Sequence, residues 1–140
     1  MIVRWPGKIA KETISAHISY HGDFLSTACD LAQLETPKGL DSISMKPILM
    51  GQEKLQKKHE YLYWEFYEGK GVRAIRMNHW KGVMNPFNQN QLEVYDLDKD
   101  TEEKTNQAAK IPEVTANLLR AMKEAHKDSK DWPNPGSFKK

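Results

Sequence analysis

His17 and His21 stand four residues apart, with Asp23 two further on. On a helix that spacing places two imidazoles on one face, as in many zinc sites. Ile14, Ser15, Ile18, Ser19 and Tyr20 carry no helical pattern, and there is no HExxH motif, so the pair reads as loop or strand histidines. Cys29, the only cysteine, falls in an apolar helical stripe, where a thiol packs as a small hydrophobe and is inert. Glu65 and Glu68 are neighbouring carboxylates among aromatics, a combination that can do acid–base work on sugars. Glu65 shares a strand face with Tyr61 and Tyr63 and Glu68 lies at a turn, which favours a structural role. Tyr61, Tyr63, Trp64, Tyr67 and Trp80 could stack sugars, but aromatics in a meander more often form core and cross-strand pairs. No Walker A, GxGxxG or GxSxG motif occurs. From residue chemistry alone, the sequence discloses no activity.

The elements that must position these groups fall into two stretches. Ile2-Val3-Arg4-Trp5, stopped by Pro6-Gly7, reads as a strand end and a turn. Phe24, Leu25, Ala28, Cys29, Leu31 and Ala32 recur at helical spacing, so 24–34 is expected to be a helix with Asp23 as N-cap. Pro37 to about Gln56 reads as a connector. Beyond it, four strands are expected: Tyr61–Tyr67, Val72–Met77, Trp80–Met84 and Leu92–Leu97. Gly69-Lys70-Gly71 and Asn78-His79 supply turns, and Asn85-Pro86 to Asn90 a polar loop. Pro112 opens a helix with Val114, Leu118, Met122 and Ala125 as its apolar stripe, widened by Leu119. The tail containing Trp132-Pro133-Asn134-Pro135-Gly136 has no regular pattern. The expected fold is therefore α+β: a four-stranded antiparallel sheet with a C-terminal amphipathic helix, preceded by a strand and a helix. One helix covers only one face of such a sheet, which suggests that the chain is not self-sufficient.

With 140 residues, 21 Lys+Arg and 19 Asp+Glu, the net charge is +2, and no clustered basic face points to nucleic acid. The sequence is 39% hydrophobic with four Trp, five Tyr and four Phe, within the globular range. No apolar run of 18 residues suggests a transmembrane helix, and no signal-peptide core is visible.

Ordered blocks along nearly the whole length, Met1 to about Lys127, resemble the C-terminal part of the formylglycine-dependent arylsulfatase family. Ile2-Val3-Arg4-Trp5-Pro6-Gly7-Lys8-Ile9 resembles the family's I-V-x-W-P-G-K-I. The stretch from Asp23 to Ala32 resembles D-(F/I)-x-P-T-x-x-x-L-A, and Asp41-Ser42-Ile43-Ser44 resembles D-G-x-S. Tyr63-Trp64-Glu65, Ala74-Ile75-Arg76, Trp80-Lys81 and Val94-Tyr95-Asp96-Leu97 match recurring blocks, and Asp98 to Asn106 resembles D-x-x-x-D-P-x-E-x-x-N. Ser26, Gln33, Ser42 and Thr101 depart from the family's usual Pro, Gly, Gly and Pro.

The resemblance implies that residues 1–50 are the tail of an alkaline-phosphatase-like α/β catalytic domain and 51–140 the C-terminal subdomain. It implies a full-length parent that hydrolyses sulfate esters, plausibly on sulfated glycans, using a formylglycine nucleophile and calcium, in the periplasm or secreted. No catalytic or metal residue is expected within these 140 residues. Cys29 is followed by Asp30-Leu31-Ala32-Gln33, not by the x-P-x-R that formylglycine formation requires, so the isolated chain is expected to be inactive. It is also expected to self-associate or to be marginally stable, and neither nucleic acid nor membrane is an expected partner. The expected role is to brace the core and wall the substrate cleft. His79, Arg76 and Lys81, at and beside the Asn78-His79 turn, are the expected contacts for the anionic substrate. The alternative is a free-standing carbohydrate-binding or interaction module without catalysis.

Overall fold

The computed structural model describes residues 1–89 and 91–133. Asn90 and residues 134–140, which hold the end of the polar loop and part of the Trp132–Gly136 tail, lie outside the described residues. The chain divides into two compact units, Met1–His59 and Glu60–Lys140.

In the first unit, α1 spans Asp23–Leu31, α2 spans Lys46–Leu49, and a 3-10 turn covers Glu53–Leu55. Asp23 is not the N-cap. Gly22 holds that position without a side-chain cap, and Asp23 is the first helical residue. The helix ends at Gln33, whose φ of +59° is left-handed. There Leu34 N–H bonds the Cys29 carbonyl at 2.8 Å and Gln33 N–H bonds that of Asp30 at 3.3 Å, a Schellman closure. The inward face of α1 differs from expectation. Phe24, Leu25, Ala28 and Ala32 are exposed and Cys29 is half-buried, while Asp23, Ser26 and Thr27 are buried. Asp23, Ser26, Thr27 and Asp30 themselves follow an i, i+3, i+4, i+7 stripe, and each bonds the segment 42–46. Ile43 N–H donates to Asp23 Oδ1 at 2.8 Å and Met45 N–H to Thr27 Oγ1 at 2.9 Å. Ser42 Oγ–H donates to Ser26 Oγ at 2.5 Å, and Ser44 Oγ–H to Asp30 Oδ2 at 2.7 Å. Gln56 closes the connector by donating to the Ser44 carbonyl and accepting from Ile48 N–H. Among the described residues, Met45 is the one apolar side chain this unit buries. Hydrogen bonds worth about 0.5–1.5 kcal/mol each therefore carry its order, not a hydrophobic core.

The expected strand at Ile2–Trp5 does not form. A strand needs a ladder partner, none occurs among the described residues, and Ile2 is fully exposed. Pro6-Gly7 does turn the chain, with Lys8 and Ile9 N–H both bonding the Trp5 carbonyl.

The second unit is a four-stranded antiparallel meander in the order β1-β2-β3-β4, with β1 Leu62–Phe66, β2 Val72–Met77, β3 Trp80–Met84 and β4 Glu93–Asp96, followed by α3 Pro112–Ala125. Ile75 pairs with Gly82, and Gly82 with Val94. A Cβ on Gly82 would stand 3.1 Å from Leu92 and 3.2 Å from Ile75, so the glycine lets Leu92 lie across β3. Ile75, Met84, Leu92, Val94, Leu118, Ala121 and Met122 form the core beneath α3. Each such large side chain contributes about 1.5–3 kcal/mol on burial. The outer edge of β4 is sealed: Asn106 Oδ1 accepts from Val94 N–H at 3.0 Å, and Gln107 N–H bonds the Val94 carbonyl at 2.7 Å. Asp100 holds the preceding turn by accepting from the N–H groups of Lys104 and Thr105. On the other face of the sheet, Trp64 and Phe66 are exposed.

Candidate functional site

The β2–β3 turn places Arg76, His79 and Lys81 together. Asn78 takes the left-handed conformation that the two-residue turn requires, with φ +52°. Arg76 and Lys81 are directly opposite each other across the ladder. Arg76 Nε–H donates to the Asn78 carbonyl at 3.0 Å, which ties the turn to its own strand. The His79 carbonyl accepts from Leu97 N–H at 2.8 Å, and its ring leans on Trp80 with centroids 4.7 Å apart. Backbone and ring are thus both fixed, and the imidazole edge is carried on a rigid hairpin.

The charges at this turn are unequal. Lys81 Nζ forms a half-buried ion pair with Glu103 at 2.6 Å. Burial pushes the Asp96 carboxyl up, but hydrogen bonds from Lys99 and Asp98 N–H, with the charges of Lys99 and His79, outweigh it and hold the group below its ordinary range. Among the described residues, Arg76 has no carboxylate at ion-pair distance, so its charge is the one not offset locally.

The other candidates are placed differently. His17 and His21 lie outside any helix, and His21 packs edge-on against Tyr20. Burial pushes His17 down, helped by the charges of His59 and Lys58 against the opposing Asp23. Glu65 and Glu68 do not act as a pair: Glu68 is exposed at the turn, and Glu65 is half-buried in its own network. The aromatic residues do not share one platform. Tyr61, Tyr63 and Trp80 pack on the core, whereas Trp64 faces away from it.

Two clusters escape the sequence reading. His59 Nε2 lies 2.9 Å from both oxygens of Asp23, with its ring edge-on to Tyr20 at 5.5 Å. Glu65 accepts from the hydroxyls of Tyr63 and Tyr67 and from His126 Nδ1 at 2.5 Å. Burial alone would push the Glu65 carboxyl up; the three hydrogen bonds and the His126 charge outweigh it and hold the group below its ordinary range. The Tyr63-x-Glu65-x-Tyr67 alternation, which puts all three on one strand face, was the available signal. The sixty-one-residue separation from His126 carried none.

Solved sulfatase structures share this fold. Residues 1–128 match the family model described as N-sulphoglucosamine sulphohydrolase, C-terminal, and the chain belongs to that family. It is 28% identical over 140 residues to an N-acetylglucosamine-6-O-sulfatase of Bacteroides thetaiotaomicron, covering 94% of this chain and 25% of that protein. It is 29% identical over 132 residues to arylsulfatase K of Bos taurus, covering 88% of this chain and 24% of the relative. A protein solved in complex with its substrate D-glucosamine-2-N,6-O-disulfate superposes with a TM-score of 0.73 at 26% identity, over 99% of this chain and 30% of that one. The chain thus spans about a quarter of the length of the curated relatives it matches.

Sulfatases generally use formylglycine and calcium, and the residues present here do not fit either group. Cys29 and its neighbours lack the required motif. Among the described residues, no three His, Cys, Asp or Glu side chains come together as a metal site needs.

Proposed function

We propose that this chain is the C-terminal portion of a sulfatase whose full-length form hydrolyses sulfate esters on sulfated glycans. Residues 1–50 would be the tail of the catalytic domain and 51–140 the C-terminal subdomain. The observation that carries this reading is the match along the whole chain to a protein solved with a sulfated glucosamine. The formylglycine and calcium of such an enzyme would be held by residues outside this chain, so no chemical step is assigned to the present side chains.

Two tasks remain for them. The first is bracing. The first unit exposes Ile2, Ile14, Phe24, Leu25, Leu34 and Leu55, and an open cavity of about 500 Å³ lies along its segment 8–19 and residues 45–51. A unit with so little core of its own needs apolar cover, and a catalytic domain would supply it. An isolated chain would satisfy the same surface by self-association. The second task is to wall the substrate cleft with the β2–β3 turn. There Arg76 and His79 would receive a sulfate or sugar hydroxyl, and Lys81, held by Glu103, would add a weaker field.

The test uses full-length enzyme and 6-O-sulfated glucosamine oligosaccharides, with sulfate release as the readout. Arg76→Ala and His79→Ala are each expected to lower kcat/KM about tenfold, the loss of one charge-assisted hydrogen bond. The distal Lys127→Ala control should leave it unchanged. Equal kinetics for all three variants would remove the turn from the cleft. The absence of sulfate release by the wild type would remove the sulfatase reading itself.

A further inference from the structure

We propose that His126 is a protonation-operated latch that fastens the chain following α3 to strand β1. His126 is the C-cap of α3, where the backbone turns extended with ψ 131°. Its two ring nitrogens face two carboxylates: Nδ1 lies 2.5 Å from Glu65 Oε1, and Nε2 lies 3.2 Å from Asp128 Oδ1. A neutral imidazole has one N–H and can serve one of these acceptors, leaving a lone pair against the other. The imidazolium serves both. Its charge also lies at the negative end of a 14-residue helix.

The remaining groups around the ring leave His126 as the cation paired with Glu65 among the described residues. From β1, the hydroxyls of Tyr63 and Tyr67 donate to Glu65 but bring no charge. From β2, Arg73 is paired with Glu65 in register and its guanidinium also bears on the Tyr63 hydroxyl, but among the described residues it makes no ion pair with Glu65. It lies 4.5 Å above the Phe87 ring, and Nη2 donates to Met84 Sδ at 3.0 Å. Among the described residues, Arg73 Nε is buried without a partner, and the ion pair that Glu65 makes is with His126. The Phe87 ring meets the imidazole edge-on at 5.8 Å and shields it. Beyond the latch, Trp132 rests against Tyr67 at 6.1 Å, and Tyr67 is itself bonded to Glu65. The strap from Lys127 to Pro133 is thus fastened at two points that share one carboxylate. Loss of the imidazole proton removes the ring's charge and leaves one N–H for two carboxylates, which weakens the first point and loosens the second through Tyr67.

The sign follows from the donors: the latch is closed when the ring is protonated and opens as pH rises. The experiment is hydrogen exchange read by mass spectrometry on the full chain, at mildly acidic and mildly alkaline pH, corrected for intrinsic exchange. Peptides spanning 120–126, where the His126 N–H closes α3 on the Met122 carbonyl, are expected to lose protection on the order of tenfold at the higher pH, the equivalent of one charge-assisted hydrogen bond. Peptides covering β2 and β3 should hold theirs. His126→Gln and Glu65→Gln should each give a last turn of α3 whose protection is low and independent of pH, with β2–β3 protection reporting that the variant is folded. Wild-type protection that is the same at both pH values overturns the proposal without recourse to any variant. So does a folded His126→Gln protein that keeps the wild-type pH dependence.

Discussion

Replacing Asp23 by Ala tests the claim that polar pegs, not a core, hold the first unit. Its side chain is fully buried and meets three donors: Tyr20 N–H at 3.1 Å, Ile43 N–H at 2.8 Å and His59 Nε2 at 2.9 Å. Removing the carboxylate orphans all three, and each unsatisfied buried donor costs about 1–3 kcal/mol. Tyr20 and Ile43 are part-buried and recover some of this from water, so the expected loss is about 3–5 kcal/mol. The Asp30→Ala control removes a carboxylate whose side chain is 40% exposed and paired with Lys46, and about 1 kcal/mol or less is expected. Asp23→Asn keeps the shape but turns an amide N–H₂ toward donors, and should fall between the two. Urea unfolding of the full chain, with hydrogen exchange at 20–45 assigning the loss to the first unit, gives the magnitudes. A His59→Ala double-mutant cycle should return a coupling of about 1–3 kcal/mol. An Asp23→Ala cost within about 1 kcal/mol of the Asp30→Ala cost would refute the polar-peg account.

Gln33 holds a left-handed φ at the close of α1, so Gln33→Gly is expected to raise stability by about 1 kcal/mol in the same unfolding assay. Burial and the Glu65 hydrogen bond push the Tyr67 phenol up to about 12, and the Glu93 hydrogen bond and burial do the same for Tyr95. A phenol raised in the folded state stabilises it fully below the free phenol's range, and that contribution disappears as pH climbs toward 12. Phenolate absorbance should therefore rise late for these tyrosines in native chain and at the ordinary pH in urea, and Glu65→Gln should bring Tyr67 forward.

The second unit was legible because its signals are local. Periodicity alone gives β2 and β3 to the residue, Asn78 announces the left-handed turn, and Pro112 marks the first turn of α3. Strand ends at β1 and β4 shrink by a residue or so where pairing stops. The first unit was misread for a physical reason. Two stripes run along α1 at helical spacing, one apolar and one polar, and the usual rule buries the apolar one. Here the polar stripe of Asp23, Ser26, Thr27 and Asp30 faces in, because it finds main-chain partners in 42–46, while Phe24 and Leu25 face out. No property of the helix alone decides between the two faces; the decision lies in the partner segment. The Asp23–His59 and Glu65–His126 pairs were hidden for a related reason, since their members are thirty-six and sixty-one residues apart.

The blocks that carry the family resemblance prove to be hydrogen-bonding devices of the scaffold. Asp23 and Thr27 peg the connector, Asp100 and Asn106 form the turn and seal the edge of β4, and Glu65 gathers two tyrosines and a histidine. Lys81, in another block, is committed to Glu103, and Arg76 braces the hairpin through its Nε. A resemblance resting on such residues identifies the framework and says little about substrate selectivity. Asn78 and His79 fall between the matched blocks, on a turn held by the left-handed Asn78 and by the Arg76 and Leu97 hydrogen bonds. Loops held by a rigid scaffold are where binding contacts are commonly carried. If the turn walls the cleft as proposed, His79→Ala in the full-length enzyme is expected to change the ratio of kcat/KM between differently sulfated glucosamines, and an unchanged ratio would leave this side chain without a part in selectivity.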